Sequence, residues 1–335
     1  MAKKITIRDL ASAAGVSVTT VSQILNGKGD RFSKATQEKV LHLRDELGYV
    51  PDFNARNLIL RSSKTIGVLV PNLNNPFFST FIHGVDITAR KEGFIAIVFG
   101  ANHEVDLERF YLRQLMERSV DGFIIASASI TAKTVDDLLK PWHTPYVLFD
   151  QNENRAGDRL ETDDYQGGHQ AAAYLARQGH QKIVVLHPKL PTININNRLK
   201  GFVDGLGEAG VTFDAKQWIV PAELTKAGGY QATADVLSKK PTAVFAENDE
   251  MAIGLMRGLH EQGLSVPDDI SVMGYDNIDL DEYVMPQLTT IEQPLHKIGE
   301  TATKMLIKRL KNPSMDWQKV KLAVKLVERD SVKHL

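Results

Sequence analysis

Cysteine is absent from all 335 residues, which excludes disulfides, thiolate metal sites and thiol nucleophiles. No apolar run approaches the ~20 residues that a membrane-spanning helix needs. The opening MAKKIT turns amphipathic at once and has no signal-peptide core. A cytoplasmic location without a membrane partner is therefore expected. No G-x-G-x-x-G follows a strand, and no Walker loop occurs. The ten histidines are scattered singly, and His169 and His180 flank a helix without a zinc-type partner set. The adjacent acids Asp163 and Asp164 read as a strand-end turn rather than an acid/base pair. Catalysis, a metal centre and a resident cofactor thus find no support, and tandem repeats and low-complexity tracts are missing too.

What is present suffices for two or three packed units, since 43% of the residues are hydrophobic. The net charge of −1 hides an imbalance. Residues 1–62 carry ten Lys/Arg against six Asp/Glu, a net of +4, and the remainder carries a net of −5. A basic head on an acidic body fits a nucleic-acid-binding module attached to something else.

The head is organised by ITIRDLASAAGVSVTTVSQILN at residues 5–26. Ile7, Leu10, Ala11 and Ala14 share one helical face, and Gly15 breaks the period as a tight turn requires. Ser17 is placed to cap a second helix with Val21, Ile24 and Leu25 inward. Two helices crossing at a glycine turn form a helix-turn-helix. Val18, Thr19, Ser22 and Gln23 then point outward, as side chains that reach base edges in a major groove do. A plain helical hairpin packed on the rest is the alternative. The loop GKGDRF follows, and Ser33 caps a third helix whose inner face holds Val40, Leu43 and Leu47. Pro51 stops it, and residues 53–60 have the length of two helical turns, unstable alone.

From residue 65 apolar strands alternate with helices, as in parallel sheets covered on both faces. About nine such units exceed one ordinary sheet, so two doubly wound α/β subdomains dividing near residue 161 are expected. The expected boundaries are 1–49 for the head, 50–62 for a hinge and 63–335 for the body. Within the body, 63–161 plus 292–325 would form one subdomain and 162–291 the other. Ligands of such sheets bind beyond the carboxyl ends of the strands. That rule nominates Asn75, Phe77, Phe78, Asp150, Gln151, Asn248, Asp276 and Gln293, with Arg198 from a helix start. Phe77 and Phe78 offer apolar ring faces, and the polar set offers both donors and acceptors, to a bound small molecule. The competing readings are structural: Asn75, Asn248 and Asp276 as caps, the phenylalanines as core, and Arg198 as a solvated charge.

IRDLASAAGVSVTTVSQILN, LGYVPDFNARNL, IGVLVPNLNNPFF, FAENDEMAIG and VMGYDN, in this order, resemble the lactose/galactose repressor family of bacterial transcription regulators. The resemblance spans nearly the whole chain, and the body of that family is similar to periplasmic sugar-binding proteins. It implies a homodimer on a near-palindromic operator in double-stranded DNA, released by a small sugar. Val18, Thr19 and Gln23 would contact bases, and Thr6, Ser17, Thr20, Ser22 and Asn26 phosphates. Leu58 matches the leucine that wedges into the minor groove at the operator centre, with Arg56 and Asn57 beside it. The pocket pattern most resembles that of ribose repressors, in NPFF, NNR, END, GYD and EQP, although Gln151 follows Asp150 where an Arg often stands. The other readings are a global catabolite regulator answering to a phosphorylated carrier protein, and a solute-binding protein with an incidental head. No leucine heptad extends past Lys333, which argues against a C-terminal tetramer coil.

Overall fold

The computed structural model describes residues 5–51, 62–102, 104–127, 130, 134, 137–149 and 157–335. The chain divides into two compact units, Met1–Ser63 and Lys64–Leu335. Among the described residues no helix is long and apolar enough to cross a membrane. None of their His, Asp and Glu side chains cluster in threes to hold a metal ion.

The first unit consists of α1 (Ile7–Ala14), α2 (Val18–Leu25) and α3 (Lys34–Glu46). Thr6 and Asp9 form a reciprocal capping box at α1, and Ser17 and Ser33 cap the next two helices through Thr20 N and Thr36 N. Gly15 has φ +70°, left-handed backbone that costs glycine nothing, and turns α1 into α2. The core of this unit is Leu10, Ala11, Ala14, Val21, Ile24, Val40 and Tyr49. It is small, so each helix depends on the other two for its stability.

The second unit contains two parallel sheets. The larger is built from β1 (Thr65–Val70), β2 (Ile95–Gly100), β3 (Gly122–Ile125), β4 (Tyr146–Phe149), β5 (Asp158–Thr162) and β11 (Lys319–Leu322). Its strand order is β11-β5-β4-β3-β1-β2. Helix α4 (Pro76–Lys91) follows β1, and α5 (Val105–Glu117) follows β2. The smaller sheet has β6 (Ile183–His187), β7 (Ile219–Pro221), β8 (Ala243–Ala246) and β9 (Ser271–Met273), in the order β7-β6-β8-β9. Strands β1, β3, β4, β6, β8 and β9 are buried along nearly their whole length, which explains their unbroken apolar sequences. An antiparallel pair, β10 (Thr290–Glu292) and β12 (Lys325–Val327), lies beside the second lobe. After β10 the chain crosses to the first lobe, where a long helix at Leu295–Lys311 packs on α4 and on the first-lobe core.

Two segments depart from the plain reading of their sequence, which makes QWIVPA at 217–222 one strand and 228–237 one helix. Residues 217 and 218 belong to a short helix, Ala215–Trp218, not to the strand that follows. Asp214 caps that turn through Lys216 N, and Trp218 is buried against the second-lobe core. The continuous helix expected at 228–237 is two, Lys226–Gln231 and Thr233–Ser238, separated at Ala232.

Helices α6 (Asp164–Arg177) and α7 (Ile193–Glu208) pack unusually close. A Cβ on Gly168 would collide with the carbonyl of Arg198, and one on Gly201 with that of Tyr165. This glycine-lined crossing holds Arg198 of α7 against Asp164 at the start of α6.

Candidate functional site

In the first unit, α2 leaves Val18 and Thr19 exposed and Ser22, Gln23 and Asn26 half-buried. Helix packing forces this: with Val21 and Ile24 in the core, positions 18, 19 and 22 face away from it. The small polar residues nominated for phosphate are also structural. Thr6 and Ser17 hold helix N-termini, and Asn26 Nδ2 donates to the Ser22 carbonyl at 2.7 Å. Arg56, Asn57 and Leu58 lie outside the described residues, as do Asp150 and Gln151.

In the second unit, the nominated side chains form two groups, each at the carboxyl ends of its own sheet. On the first lobe, Asn75 Oδ1 accepts from Phe77 N at 2.8 Å and so caps α4, with Pro76 at its first position. Phe77 is buried, meets Phe78 edge-on at 4.9 Å and stacks on Phe149 at 6.2 Å. Phe78 remains half-buried. The capping and core readings are therefore realised, and they leave the Phe78 ring partly open at the strand ends.

The second-lobe group is polar and buried. Arg198 is only 2% exposed. Its Nε and Nη2 donate to Asp164 Oδ1 at 3.2 and 2.7 Å, and its Nη1 donates to the Glu247 carbonyl. Its guanidinium lies 3.4 Å from the centroid of the Tyr275 ring. Burial opposes the charge, but Asp164, Tyr275, Asp276 and Glu247 outweigh it and raise the Arg198 pKa above the ordinary value. Arg198 is thus a locked interior cation and not a solvated helix-start charge.

Asp276 has φ +130°, a strained backbone for a side-chain-bearing residue. Its amide donates to the Ile291 carbonyl, and its Oδ1 accepts from Gln293 Nε2 at 2.7 Å. Burial, reinforced by Asp249, pushes its carboxyl well above the usual range. Gln293 is buried, and its Oε1 has no hydrogen-bond partner among the described residues. Asn248 caps the helix at Asp249–Glu261 through Met251 N at 2.8 Å and donates to the Leu224 carbonyl. Arg198, Asp276 and Gln293 are thereby brought together beside Asn248. A buried cation, a carboxyl and an amide at strand ends can bind a small neutral polar molecule.

Sequence reasoning missed three members of this cluster. Asp164, taken for a turn residue, is the counter-ion of Arg198. His187 and Glu247 stand side by side at the ends of β6 and β8, with Nδ1 and Oε2 2.5 Å apart. Burial raises the Glu247 carboxyl against the opposing pull of His187 and Arg198, and its Oε1 is buried without a partner among the described residues. The signal was available: both lie at the end of an apolar strand, the positional rule that nominated Asn248.

A helix-turn-helix unit followed by two parallel-sheet lobes with a polar cluster at the strand ends defines a ligand-responsive DNA-binding regulator. Residues 6–52 match the lacI family of bacterial regulatory proteins, and residues 172–332 match a periplasmic binding protein-like domain. A transcriptional repressor named PurR from Photobacterium profundum is 38% identical over 98% of this chain and 99% of its own. A LacI family regulator from Enterococcus faecalis V583, solved with bound ribose, is 42% identical over 81% of this chain and 99% of its own, with TM-score 0.75. The lac repressor dimer bound to operator and the anti-inducer ONPF is 27% identical, covers 99% of this chain and 100% of its own, and gives TM-score 0.87. The chain belongs to the LacI family of transcriptional repressors, which are DNA-binding proteins and not enzymes.

Proposed function

We propose that this chain is a dimeric repressor released from a near-palindromic operator by ribose bound between its two lobes. The observation that carries the effector reading is the pairing of unmatched groups at the second-lobe strand ends. Arg198 spends three of its five N–H groups on Asp164 and Glu247. Gln293 Oε1 is a buried acceptor without a partner among the described residues. A donor and an acceptor withheld from water are costly unless a ligand matches both. A pentose hydroxyl both donates and accepts, and Phe77 and Phe78 on the first lobe supply an apolar face for the ring. The ribose-bound relatives at 40 and 42% identity point the same way. Asn75, Asp150, Gln151, Asn248 and Asp276 complete the proposed contact set.

Dimerisation is supported by the edge of the larger sheet. Strand β2 is outermost, and Ile95 on it is 67% exposed. Val105 and Phe110 on α5, the next helix, are exposed as well. An open apolar edge strand invites pairing or coverage, and a second copy of the chain is the proposed cover. Two heads then read two half-sites, with Val18, Thr19 and Gln23 on bases. Thr6, Ser17, Thr20, Ser22 and Asn26 lie at phosphates. Leu58, flanked by Arg56 and Asn57, wedges into the minor groove between them. Sugar closing the cleft shifts the first lobes and separates the hinges, so operator and sugar compete through one conformational equilibrium.

A second reading, a purine effector, is favoured by the curated PurR relatives at 33 to 38% identity. Calorimetric titration with D-ribose, D-glucose and hypoxanthine separates the two. Under the ribose reading, ribose alone binds, raises the thermal midpoint and weakens operator binding. Binding of hypoxanthine without ribose selects the purine reading. Operator binding tightened by ribose would make the ligand a co-repressor, and a response only to a phosphorylated carrier protein would replace both readings.

A further inference from the structure

We propose that Arg31 sets the base preference of the recognition helix. By occupying the amide oxygen of Gln23, it turns a residue suited to adenine into one that selects guanine. The proposal rests on reading α2 as the operator-reading helix and deepens it by naming the base.

Gln23 lies on the outward side of the last turn of α2. A free glutamine presents an acceptor and a donor side by side, the complement of adenine N7 and its amino group. Here Arg31 Nη2 donates to Gln23 Oε1. Arg31 is exposed, but the loop that carries it is held in place from several directions. Its guanidinium lies 5.0 Å from the centroid of the Phe32 ring, and Phe32 packs on the core of the head. Phe32 N donates to the Gly29 carbonyl at 2.8 Å, closing a turn. Gln37 Nε2, from α3, donates to the carbonyls of Gly29 and Phe32 at 3.1 and 3.0 Å. Lys28 N donates to the Gln23 carbonyl at 2.9 Å and ties the other end of the loop to α2. The loop GKGDRF is thus a clamp that delivers a guanidinium to the side chain of Gln23.

The chemistry follows from donor and acceptor counting. With a fixed cation at Oε1, an adenine amino group approaching that oxygen meets donors and positive charge. The Gln23 amide N–H groups and the remaining guanidinium N–H groups converge as donors. Guanine alone shows two neighbouring acceptors, O6 and N7, in the major groove. A matched two-donor contact discriminates by a factor of about ten or more against the wrong base.

The experiment uses the full-length, effector-free chain. Bound sites are selected from a random-sequence duplex library. The position read by Gln23 is the one whose preference is lost in Gln23→Ala, and affinities are then measured on the four duplexes that differ there. The expected result is guanine at that position. Arg31→Ala should reduce its preference over adenine about tenfold or more, and Arg31→Lys should retain overall affinity yet lose the same preference. Selection of adenine would overturn the proposal. So would an Arg31→Ala variant that weakens all four duplexes equally and lowers the salt slope by about one, the signature of a phosphate contact alone. If the wild type selects no sequence at all, the operator-reading role of α2 fails, and this proposal with it.

Discussion

Asp164→Asn is the sharpest test of the second-lobe cluster. It removes the only carboxylate that hydrogen-bonds directly to Arg198 among the described residues, while keeping shape and volume. Both partners are buried, at 2 and 4% side-chain exposure, so solvent screens the pair little. Breaking a buried pair by neutralising one member leaves the other charge uncompensated, at a cost of about 3–5 kcal/mol. At roughly 2 °C per kcal/mol for a large domain, the thermal midpoint of the body falls by about 6–10 °C. The assay is urea and thermal unfolding of the full chain followed by circular dichroism. The comparison variant is the double substitution Asp164→Leu with Arg198→Met, which removes both charges and should recover most of the stability. It should also lose the effector response, because the guanidinium is gone. A loss below about 1 kcal/mol in Asp164→Asn would refute the picture of Arg198 as a locked interior cation. A double variant that still responds to effector would instead refute the role of the Arg198 guanidinium in effector binding.

Further outcomes follow from other residues. Arg198→Ala should keep operator binding but abolish release by effector, and a variant still released would remove Arg198 from the pocket. Leu58→Ala should weaken operator binding about tenfold or more while leaving effector affinity unchanged, since unstacking a base step is worth a few kcal/mol; an unchanged operator affinity counts against the wedge. Ile95→Asp should shift sedimentation from dimer to monomer at micromolar chain, and a persistent dimer would move the interface away from β2. Asp281 is pushed up to about 11 by burial and by Asp249. It therefore holds a proton in the folded state that the unfolded chain releases near pH ~4. That contribution is fully present at acid pH and lost progressively as pH rises from about 4 toward 11. Asp281→Asn removes this contribution, so its stability should fall less steeply than that of the wild type between about pH 4 and pH 9; parallel pH–stability curves would contradict the assignment.

The legible parts of the sequence were those in which one local rule dominates. Ser17 and Ser33 read as caps because a serine oxygen before an apolar-periodic run has few other uses, and both do cap. Gly15 read as a turn because few other residues tolerate its left-handed backbone. The buried strands announced themselves by unbroken Val, Ile and Leu. What stayed hidden was set by long-range geometry. Asp164 and Arg198 are 34 positions apart and meet only because Gly168 and Gly201 let two helices touch backbone to backbone. Trp218 ends a four-residue helix capped by Asp214, too short to leave a period. His187 and Glu247 are neighbours only through the register of β6 against β8.

The candidate site also shows why capping and ligand readings of one residue need not compete. Asn75 and Asn248 each spend one oxygen on the first turn of a helix that leaves a strand end. The same act fixes their side chains at the place where a ligand of such sheets binds. Preorganisation of this kind lowers the entropy lost on binding. The lobes nonetheless contribute differently, apolar rings from the first and buried charge from the second. A ligand can bias a two-state equilibrium only through contacts that differ between the states. An effector held by Arg198, Asp276 and Gln293 alone would bind both arrangements equally and shift nothing. The switching free energy must therefore come from the face presented to the first lobe, to Phe77 and Phe78 and to the proposed contacts Asn75, Asp150 and Gln151, so in this reading the second lobe sets how tightly effector binds and the first sets whether the repressor responds.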